Sequence, residues 1–355
     1  SLNATAVDAA GNTISANETA NTIVLSGTET AINNDLGNLE FVTNSTTPGT
    51  ETLSIEVEDT VGGTASQDIT VNVGNQVEFT DATTDNLSGS SGADIFNADQ
   101  TSAQVLQSGD QADGDNGPDT LAVTSDVSNG QISALDTDAI SGIQTVDITF
   151  QSADAANAEN IDFASFSGDL QTVRVTTADN NGDADGTTTP DTLTAQNVTS
   201  GATFAFTNNA GDFTISQIAN AASSDAVTVN LGGGAKLSDI EDSNNDIDTL
   251  TINSTGSSAN EVTDLGADNK LAVDANINIG GGADFTIDLG TGDLATVDGN
   301  TADGALDIDG SGVASGNDAL KIIGGSGGDD LTGSNNEGTT LTGNGGDDTL
   351  IGGAG

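Results

Sequence analysis

From residue 77 onward, the chain repeats short stretches in which apolar and polar residues alternate, separated by turns rich in Asp, Asn and Gly. Ten of these stretches are TLAVTS, IQTVDITF, QTVRVTT, DTLTAQNV, ATFAFT, DAVTVNL, DTLTIN, ANINIG, DFTIDLG and DALKIIG. Alternation with a period of two is typical of half-buried β-strands, and no segment shows a sustained helical period. Many short strands separated by regular turns restrict the architecture to a sandwich, a barrel or a solenoid.

The tripeptide DTL favours the solenoid among these architectures. It occurs at 119–121, 191–193, 248–250 and 348–350, each time at the head of a strand-like stretch. Recurrence of one strand-opening motif is typical of stacked coils. We therefore predict an irregular β-solenoid over residues 77–323, with helical turns only in FASFSGDL and SQIANA.

The composition makes folding of this chain difficult without a counterion. The 355 residues include 55 Asp and Glu against 4 Lys and Arg, a formal net charge of -51, and 34% are hydrophobic. Low hydrophobicity combined with high net charge is typical of disorder. Cation binding would allow such a chain to fold, because bound ions neutralise the acidic side chains and hold loops together. Full neutralisation by a divalent ion would need roughly 25 ions.

The residues that are missing argue against several function classes. Four cationic side chains cannot neutralise the phosphates of a nucleic acid, and an anionic membrane surface would repel the chain. Without Cys or His, zinc, haem and iron–sulfur sites are not expected, and Ser–His–Asp or Cys–His catalysis is impossible. No apolar run reaches the ~18–20 residues that span a bilayer. We expect no enzyme activity, no nucleic acid partner and no membrane insertion.

Residues 1–76 differ from the rest and predict a small β-sandwich. The alternating stretches are NTIVLSG, LEFVTN, ETLSIEVED and SQDITVNV. The last two flank a turn at 59–63 and predict a β-hairpin, with Ile55 and Val57 on one strand and Ile69 on the other. A short helical turn is expected in AINNDLGNL.

The segment 324–355 carries the clearest chemical motif. GGSGGDDLT, at 324–332, matches every defined position of the nonapeptide G-G-x-G-x-D-x-U-x, in which U is a large apolar residue. GNGGDDTLI, at 343–351, matches it with Asn344 replacing one Gly, and GGAG begins a further copy. In such a repeat the glycines make a tight turn, and the apolar residue enters the core.

The Asp of each repeat supplies the chemistry. Stacked glycine turns with one carboxylate each form cages of oxygen atoms, which suit Ca²⁺ because it takes about 6–8 oxygen ligands in flexible geometry. The repeats therefore predict calcium ligands at Asp329 and Asp348. The alternative is a flexible acidic linker, which would not keep a Leu at a fixed distance after each Asp.

The same pattern occurs twice upstream. GSSGADIFN, at 89–97, places Asp94 at the ligand position, and GDNGPDTLA, at 114–122, places Asp119 there. Asp113 lies just before the second copy. A tight turn leading into a strand would produce much of this pattern without calcium, and that alternative stays open. Asp94, Asp119 and Asp113 are candidate calcium ligands.

Residues 77–355 resemble RTX-type proteins, and more narrowly the RTX-containing surface-layer and adhesin proteins of Gram-negative bacteria. The resemblance rests on DNLSGSSGADIFNA, GDNGPDTLAV, ISGIQTVDITF, GGSGGDDLTG and GNGGDDTLIGGAG. It implies calcium bound by repeat carboxylates and backbone carbonyls. The ligands it implies are the carboxylates of Asp329 and Asp348 and the carbonyls of Gly324, Ser326, Gly343 and Gly345.

The RTX resemblance also implies a location. Such proteins leave the cell by type I secretion and fold outside, where calcium is plentiful, so we expect this chain at the cell surface or in the extracellular space. Because it begins with Ser and contains no Met, we expect a processed product or part of a longer polypeptide.

Residues 1–76 resemble the cadherin-like, Ig-like modules of large bacterial surface proteins, through SGT…AIN..L..L.F and L.I.V.D..GG.A...I.V.V. This resemblance implies a calcium ligand at Asp59 or Glu58, although Asp59 also fits a turn residue that caps its own backbone. The expected protein is thus all-β. It has an Ig/cadherin-like sandwich at 1–76, an irregular β-solenoid (β-helix) at 77–323 and RTX calcium-binding turns at 324–355.

Three functions fit these expectations. The first is a secreted, calcium-dependent structural protein that assembles with copies of itself into a cell-surface layer or an extracellular fibre, as in a biofilm matrix. Solenoid ends and exposed edge strands are natural surfaces for such growth. The second is a stalk segment of an RTX adhesin, for which a tandem array of similar modules would be expected. The third, the RTX tail of a secreted hydrolase, is disfavoured by the lack of His. Expected partners are several calcium ions, copies of the chain and cell-surface polysaccharide.

Overall fold

The computed structural model shows an all-β protein. It describes residues 2–3, 5–7, 13–15, 42–43, 49–58, 62–101, 103–125, 132, 135–150, 158–177, 192–207, 212–215, 218, 225–244, 247–265, 275–291, 294–313, 319–335 and 338–354. Within these residues the regular elements are β-strands, apart from a 3₁₀ helix at Phe163–Ser165, inside the predicted helical turn FASFSGDL. No helix in this part of the chain has the length and hydropathy to cross a membrane.

The first six strands lie before residue 76. They are β1 Leu2–Asn3, β2 Thr5–Val7, β3 Thr13–Ser15, β4 Val42–Thr43, β5 Gly49–Glu58 and β6 Thr64–Val73. Strands β5 and β6 pair antiparallel, with Glu58 opposite Thr64 next to the turn, so the predicted hairpin is confirmed. Most of the expected cadherin-like sandwich, including the candidate ligand Asp59, lies outside the described residues, and that module stays a prediction.

One long parallel sheet runs through the rest of the chain. Its 12 strands are β7 Gln76–Glu78, β9 Ile95–Asp99, β11 Asp119–Ser125, β13 Ile143–Phe150, β15 Thr172–Thr177, β17 Thr203–Thr207, β19 Ala226–Gly232, β22 Thr249–Thr255, β24 Ala275–Gly281, β26 Leu294–Ala302, β28 Lys321–Ile323 and β30 Thr340–Thr342. Each strand pairs in parallel with the long-sheet strands before and after it.

The strands between those of the long sheet form three shorter parallel sheets. The three-stranded sheet holds β8 Asn86–Ser90, β10 Gln111–Asp115 and β12 Ile140–Ser141. The four-stranded sheet holds β14 Ala158–Asp162, β16 Thr192–Gln196, β18 Asp212–Ile215 and β21 Asp239–Asp242. The six-stranded sheet holds β20 Lys236–Leu237, β23 Asn260–Val262, β25 Phe285–Asp288, β27 Leu306–Asp309, β29 Asp330–Thr332 and β31 Thr349–Ile351.

This alternation of strands makes a β-solenoid, in which each coil contributes a strand to the long sheet and usually one to a shorter sheet. The ten alternating stretches predicted as strands all form strands, and the solenoid prediction is confirmed. Strand pairing continues past residue 323 in both the long and the six-stranded sheets. The division into domains at residues 76 and 323 stays a prediction.

The core lies between the long sheet and the shorter sheets. Inward side chains alternate with outward ones along each strand, as in β11 and β19, where every second residue is buried. The ring of Phe213, in β18, lies 4.6 Å from that of Phe204 and 5.1 Å from that of Phe206, both in β17. These rings join the two walls of the solenoid. Each coil can bury only a few side chains, so stability depends on stacking with its neighbours.

Candidate metal centre

The predicted aspartates lie at two different corners of the solenoid. Asp94 precedes β9 and Asp119 opens β11, so both stand where the chain enters the long sheet. Asp329 and Asp348 precede β29 and β31, where the chain enters the six-stranded sheet. The structure therefore brings Asp94 next to Asp119 and Asp329 next to Asp348, in two separate ladders.

In each ladder, one carboxylate oxygen binds the backbone of the preceding coil. Asp119 Oδ1 accepts the N–H of Asp94 at 2.7 Å, and Asp348 Oδ1 accepts the N–H of Asp329 at 3.0 Å. Asp329 Oδ1 likewise accepts the N–H of Leu306 at 2.9 Å, and Asp94 accepts the N–H of Asn75. The Asp of each repeat therefore joins successive coils, a role that the glycine-turn motif alone did not predict.

The second carboxylate oxygen usually binds within its own turn. Asp94 Oδ2 accepts the N–H of Ser90 at 2.5 Å, and Asp329 Oδ2 accepts that of Gly325 at 2.7 Å. Both donors stand four residues before the Asp. The pair of bonds holds the carboxylate rigid and satisfies an amide that the tight turn would otherwise leave without a partner.

Asp119 breaks this rule. The residue four positions before Asp119 is Asp115, whose φ of 65° lies in the left-handed region. The N–H of Asp115 donates to Asp113 Oδ1 at 3.1 Å and not to Asp119 Oδ2. Asp119 Oδ2 consequently has no hydrogen-bond partner, and the residue is 0% exposed. A buried, unsatisfied carboxylate oxygen is costly and indicates either a strained site or a missing ligand.

The charges around Asp119 add to this cost. Burial is the main reason that its pKa lies above the ordinary value, and the bond from the Asp94 amide acts in the opposite direction. The nearby carboxylates of Asp94, Asp115 and Asp113 raise the pKa further. A cation next to Oδ2 would reverse both effects.

One backbone carbonyl, that of Gly142, lies beside the same glycine turn as this oxygen. A β-carbon at Gly114 would lie 2.6 Å from Asp119 Oδ2 and 2.5 Å from the carbonyl oxygen of Gly142, so this turn accepts only glycine. The arrangement recurs at Gly324, where a β-carbon would lie 2.2 Å from Asp329 Oδ2 and 2.6 Å from the Gly343 carbonyl oxygen. Carboxylate and carbonyl oxygens thus converge on the first glycine of a repeat.

The other predicted ligands have simpler surroundings. The Gly324 carbonyl accepts a bond from the Asn344 side chain at 2.8 Å, and the Gly345 amide donates to the Gly325 carbonyl at 3.1 Å. Ser326 is exposed, and its hydroxyl bonds weakly to Asp303 at 3.3 Å.

Asp113 is also exposed and accepts a bond from the Ser141 hydroxyl at 3.0 Å. Its carboxylate stands next to the turn that contains Asp119, because the Asp115 amide bonds to it.

A calcium ion fits the donors at Asp119 better than those at Asp94 and Asp329. Its orphaned Oδ2 is a ready ligand, whereas both oxygens of Asp94 and of Asp329 already accept amide bonds and keep only their remaining lone pairs. In the part of the chain that the structure describes, no three acidic side chains are arranged around one metal position. Carbonyls would therefore supply most ligands, which Ca²⁺ accepts and Mg²⁺ disfavours.

Sequence reasoning missed further members of the first ladder. The side chain of Gln144 accepts the N–H of Asp119 at 2.7 Å, and Asp248 Oδ2 accepts the N–H of Asp225 at 2.8 Å. Asp248 heads a DTL tripeptide, as Asp119 does in the same ladder and Asp348 in the other, so the motif marks a ladder position without specifying which ladder. No DTL tripeptide or glycine repeat in the sequence marks Gln144 as a ladder residue.

The comparisons with known proteins add no relatives: no family model, no curated protein and no solved structure matches the chain.

Proposed function

We propose that this chain is a secreted, calcium-dependent structural protein that assembles with its own copies into a cell-surface layer or an extracellular fibre. The observation that carries the proposal is the buried, unsatisfied Oδ2 of Asp119, at a turn shared with two further carboxylates. The RTX-type and cadherin-like relationships, and export by type I secretion, belong to the same proposal.

The distribution of charge supports a need for cations. Parallel, in-register stacking places equivalent residues of successive coils next to each other, at ~4.8 Å. In the six-stranded sheet it sets Asp307 opposite Asp330 and Asp288 opposite Asp309. Like charges directly opposite each other destabilise a sheet. Burial and the charges of Asp330 and Asp309 raise the pKa of Asp307 accordingly.

The residues that would hold calcium follow from the donor chemistry. Asp119 would supply a carboxylate oxygen and Gly142 a carbonyl, with Asp113 and Asp115 close enough to add charge. A bound calcium ion supplies positive charge that neutralises carboxylates and fixes the turn. The chain's own contribution is to hold Oδ2 of Asp119 rigidly, through the bond from the Asp94 amide to Oδ1.

A structural role is favoured over a catalytic one by what the described carboxylates do. The carboxylates at the corners of the solenoid accept hydrogen bonds from backbone amides of neighbouring coils, and these bonds stabilise the fold. Stacked coils, each of which contacts mainly its neighbours, suit a protein that extends in one direction and carries load.

The proposal is tested by titrating the purified protein with calcium. We expect β-structure, followed by circular dichroism, and ordered layers or fibres, seen by negative-stain microscopy, at about 10⁻⁴–10⁻³ M calcium, and loss of both on chelation. Asp119→Asn should weaken the tightest calcium step by about tenfold in isothermal titration. Asp81→Asn removes the same charge at an exposed position and should leave that step unchanged.

Two results would contradict the proposal. One is β-structure that is identical with calcium and with chelator, which would remove the calcium argument. The other is a protein that binds calcium and folds but stays monomeric at every concentration, which would remove the assembly.

A further inference from the structure

The outward surface of the long sheet is unusually regular. We call the outward positions of β11, β13, β15, β17, β19, β22 and β24 the threonine face. One row across it consists of Thr120, Thr145, Thr172, Thr203, Thr228 and Thr251, in consecutive register. A second row consists of Thr124, Thr149, Thr176 and Thr207. These side chains are half-buried or exposed, and the residues between them point into the core.

The threonine face is also neutral. Its only outward charges are Asp147 in β13 and Arg174 in β15, which face each other in register and form an ion pair at 3.2 Å. Their side chains are 40% and 55% exposed, respectively, so both can reach a neighbour. A molecule with a formal net charge of -51 therefore carries a flat area with no net charge.

The opposite side of the solenoid is strongly acidic. Outward positions of the four- and six-stranded sheets hold one lysine, Lys236, against nine acidic residues. These are Asp162, Asp212, Asp239, Glu241, Glu261, Asp288, Asp307, Asp309 and Asp330. Two copies that approach through this side repel each other unless cations lie between them.

We propose that the threonine face is the surface on which a second copy of this chain docks, in a two-fold contact. In that contact, Arg174 of each copy meets Asp147 of the other. The inference rests on the proposed function, because it specifies where copies of the assembling protein meet.

Charge complementarity selects this occupant. A two-fold contact brings residue i of one copy to residue j of the other, and j to i. An Asp and an Arg in adjacent strands satisfy that symmetry, because the internal pair becomes a network of four alternating charges. A partner that carries only one sign of charge would leave one member of the pair opposed by a like charge.

The dimensions of the threonine face suit the centre of a docking surface. Its seven strands, ~4.8 Å apart, and about five residues, each rising ~3.3 Å, give a projected area of about 550 Å². Each partner of a standard protein interface buries about 800 Å², so neighbouring strands of the long sheet would supply the rim of the contact. Threonine contributes a methyl group and a hydroxyl, so packed faces bury apolar area and keep hydrogen-bonding capacity. The acidic sides then face outward, where calcium would join one pair to the next.

Charge reversal tests the contact directly. Asp147→Arg and Arg174→Asp should each weaken self-association by at least about tenfold in sedimentation velocity, because like charges then meet across the axis. The double variant, with the two charges exchanged, should return to within about threefold of the wild type. Thermal melting of each variant separates lost association from lost folding.

The structure offers a matched control on the acidic side. Lys236 and Glu261 form an ion pair at 3.0 Å between adjacent strands, with side chains 58% and 35% exposed. Lys236→Glu and Glu261→Lys change the net charge by the same amounts and should leave the two-fold contact, measured in sedimentation velocity without calcium, unchanged. If a reversal at 147 or 174 fails to fold, Thr207→Glu on the threonine face replaces it, with the exposed Thr286→Glu on the six-stranded sheet as its control.

The outcomes separate the surface from the proposed function. Calcium-dependent assembly that is equal in the wild type and in every face variant overturns the threonine-face contact and leaves the function standing. A dimer that follows the charge-exchange pattern but never grows into layers or fibres supports the contact and overturns the function. Binding to a neutral insoluble polysaccharide that is lost in Thr207→Glu, with no change in oligomeric state, would overturn the second copy as the occupant.

Discussion

Two carboxyl groups among the described residues have a pKa of about 7, one inside the four-stranded wall and one on its surface. Glu159, in β14, is 1% exposed and occupies an inward position like Ile161. Asp239, in β21, occupies an outward position next to Asp212 in the paired strand β18. The two groups lie in the same sheet and share the same direction of pKa shift, but the physical causes differ.

Burial alone raises the pKa of Glu159. The Ser125 hydroxyl donates to its Oε1 and the Ile132 amide donates to its Oε2 at 3.2 Å, and both bonds act against the shift without cancelling it. Around Asp239, partial burial is the largest cause, and the charges of Glu241, Asp264 and Asp212 add to it. A buried group responds to pH only, whereas a surface group among like charges responds to pH and to cations.

The largest expected effect is the pH dependence that Glu159 confers. Its folded pKa of about 7 lies above its ordinary value of 4.5, so its contribution to stability is full below pH 4.5 and is lost as the pH rises through 7. We expect a loss of about 3 kcal/mol in the free energy of unfolding, measured by urea denaturation between pH 4.5 and 8.

Glu159→Gln should remove most of that pH slope. The slope is the readout, because the amide imitates the protonated acid: its oxygen can accept the Ile132 N–H and its NH₂ group can donate to the Ser125 hydroxyl oxygen. Glu78→Gln is the control, since Glu78 is an exposed residue of the long sheet and its loss should leave the slope intact. An unchanged slope in Glu159→Gln would show that the carboxyl group does not titrate in the folded core.

Asp239→Asn should have an effect of about 1–2 kcal/mol, smaller because the side chain is partly exposed and solvent screens its neighbours. Asparagine resembles the protonated acid and can still donate to Glu241. The folded pKa of Asp239, about 7, again lies above the ordinary 3.8, so the variant should be more stable than wild type at pH 8 and nearly equal to it at pH 4. Denaturation midpoints at the two pH values measure this.

The exposed Asp288, on β25, supplies the matched control for Asp239. Asp288→Asn removes one charge from the same side of the solenoid at a position whose amide neighbour, Gly290, it already caps at 2.9 Å. It should not stabilise the protein at pH 8 to the same extent. Equal stabilisation by both variants would indicate that total charge matters and that the surroundings of Asp239 do not.

These two sites mark the limit of what the sequence could predict. Alternation and the DTL motif predicted the strands and the solenoid because both are local patterns. Glu159 shares the phase of Ile161 in AENID, which indicates an inward side chain, but a polar residue there interrupts the apolar pattern and hides it. The Asp212–Asp239 contact spans 27 positions of the chain and depends on the register of coils of unequal length. Likewise, the orphaned oxygen of Asp119 depends on the left-handed backbone of Asp115, which a turn motif does not specify.

The smallest expected effect distinguishes the two carboxyl groups most sharply. Calcium at about 10⁻³ M should lower the pKa of Asp239, because a cation near Asp212, Asp239 and Glu241 offsets their repulsion. It should leave the pKa of Glu159 in place, because that side chain is 1% exposed. Carboxyl ¹³C chemical shifts followed by NMR against pH, with and without calcium, measure both groups in the wild-type protein.

Since a lowered folded pKa reduces the cost of ionising Asp239, the protein at pH 8 should gain less than about 1 kcal/mol in its free energy of unfolding from this effect alone. Equal shifts of both groups would mean that calcium acts by rearranging the coil rather than by neutralising its surface. In that case the distinction between the interior and the surface carboxyl group would be wrong.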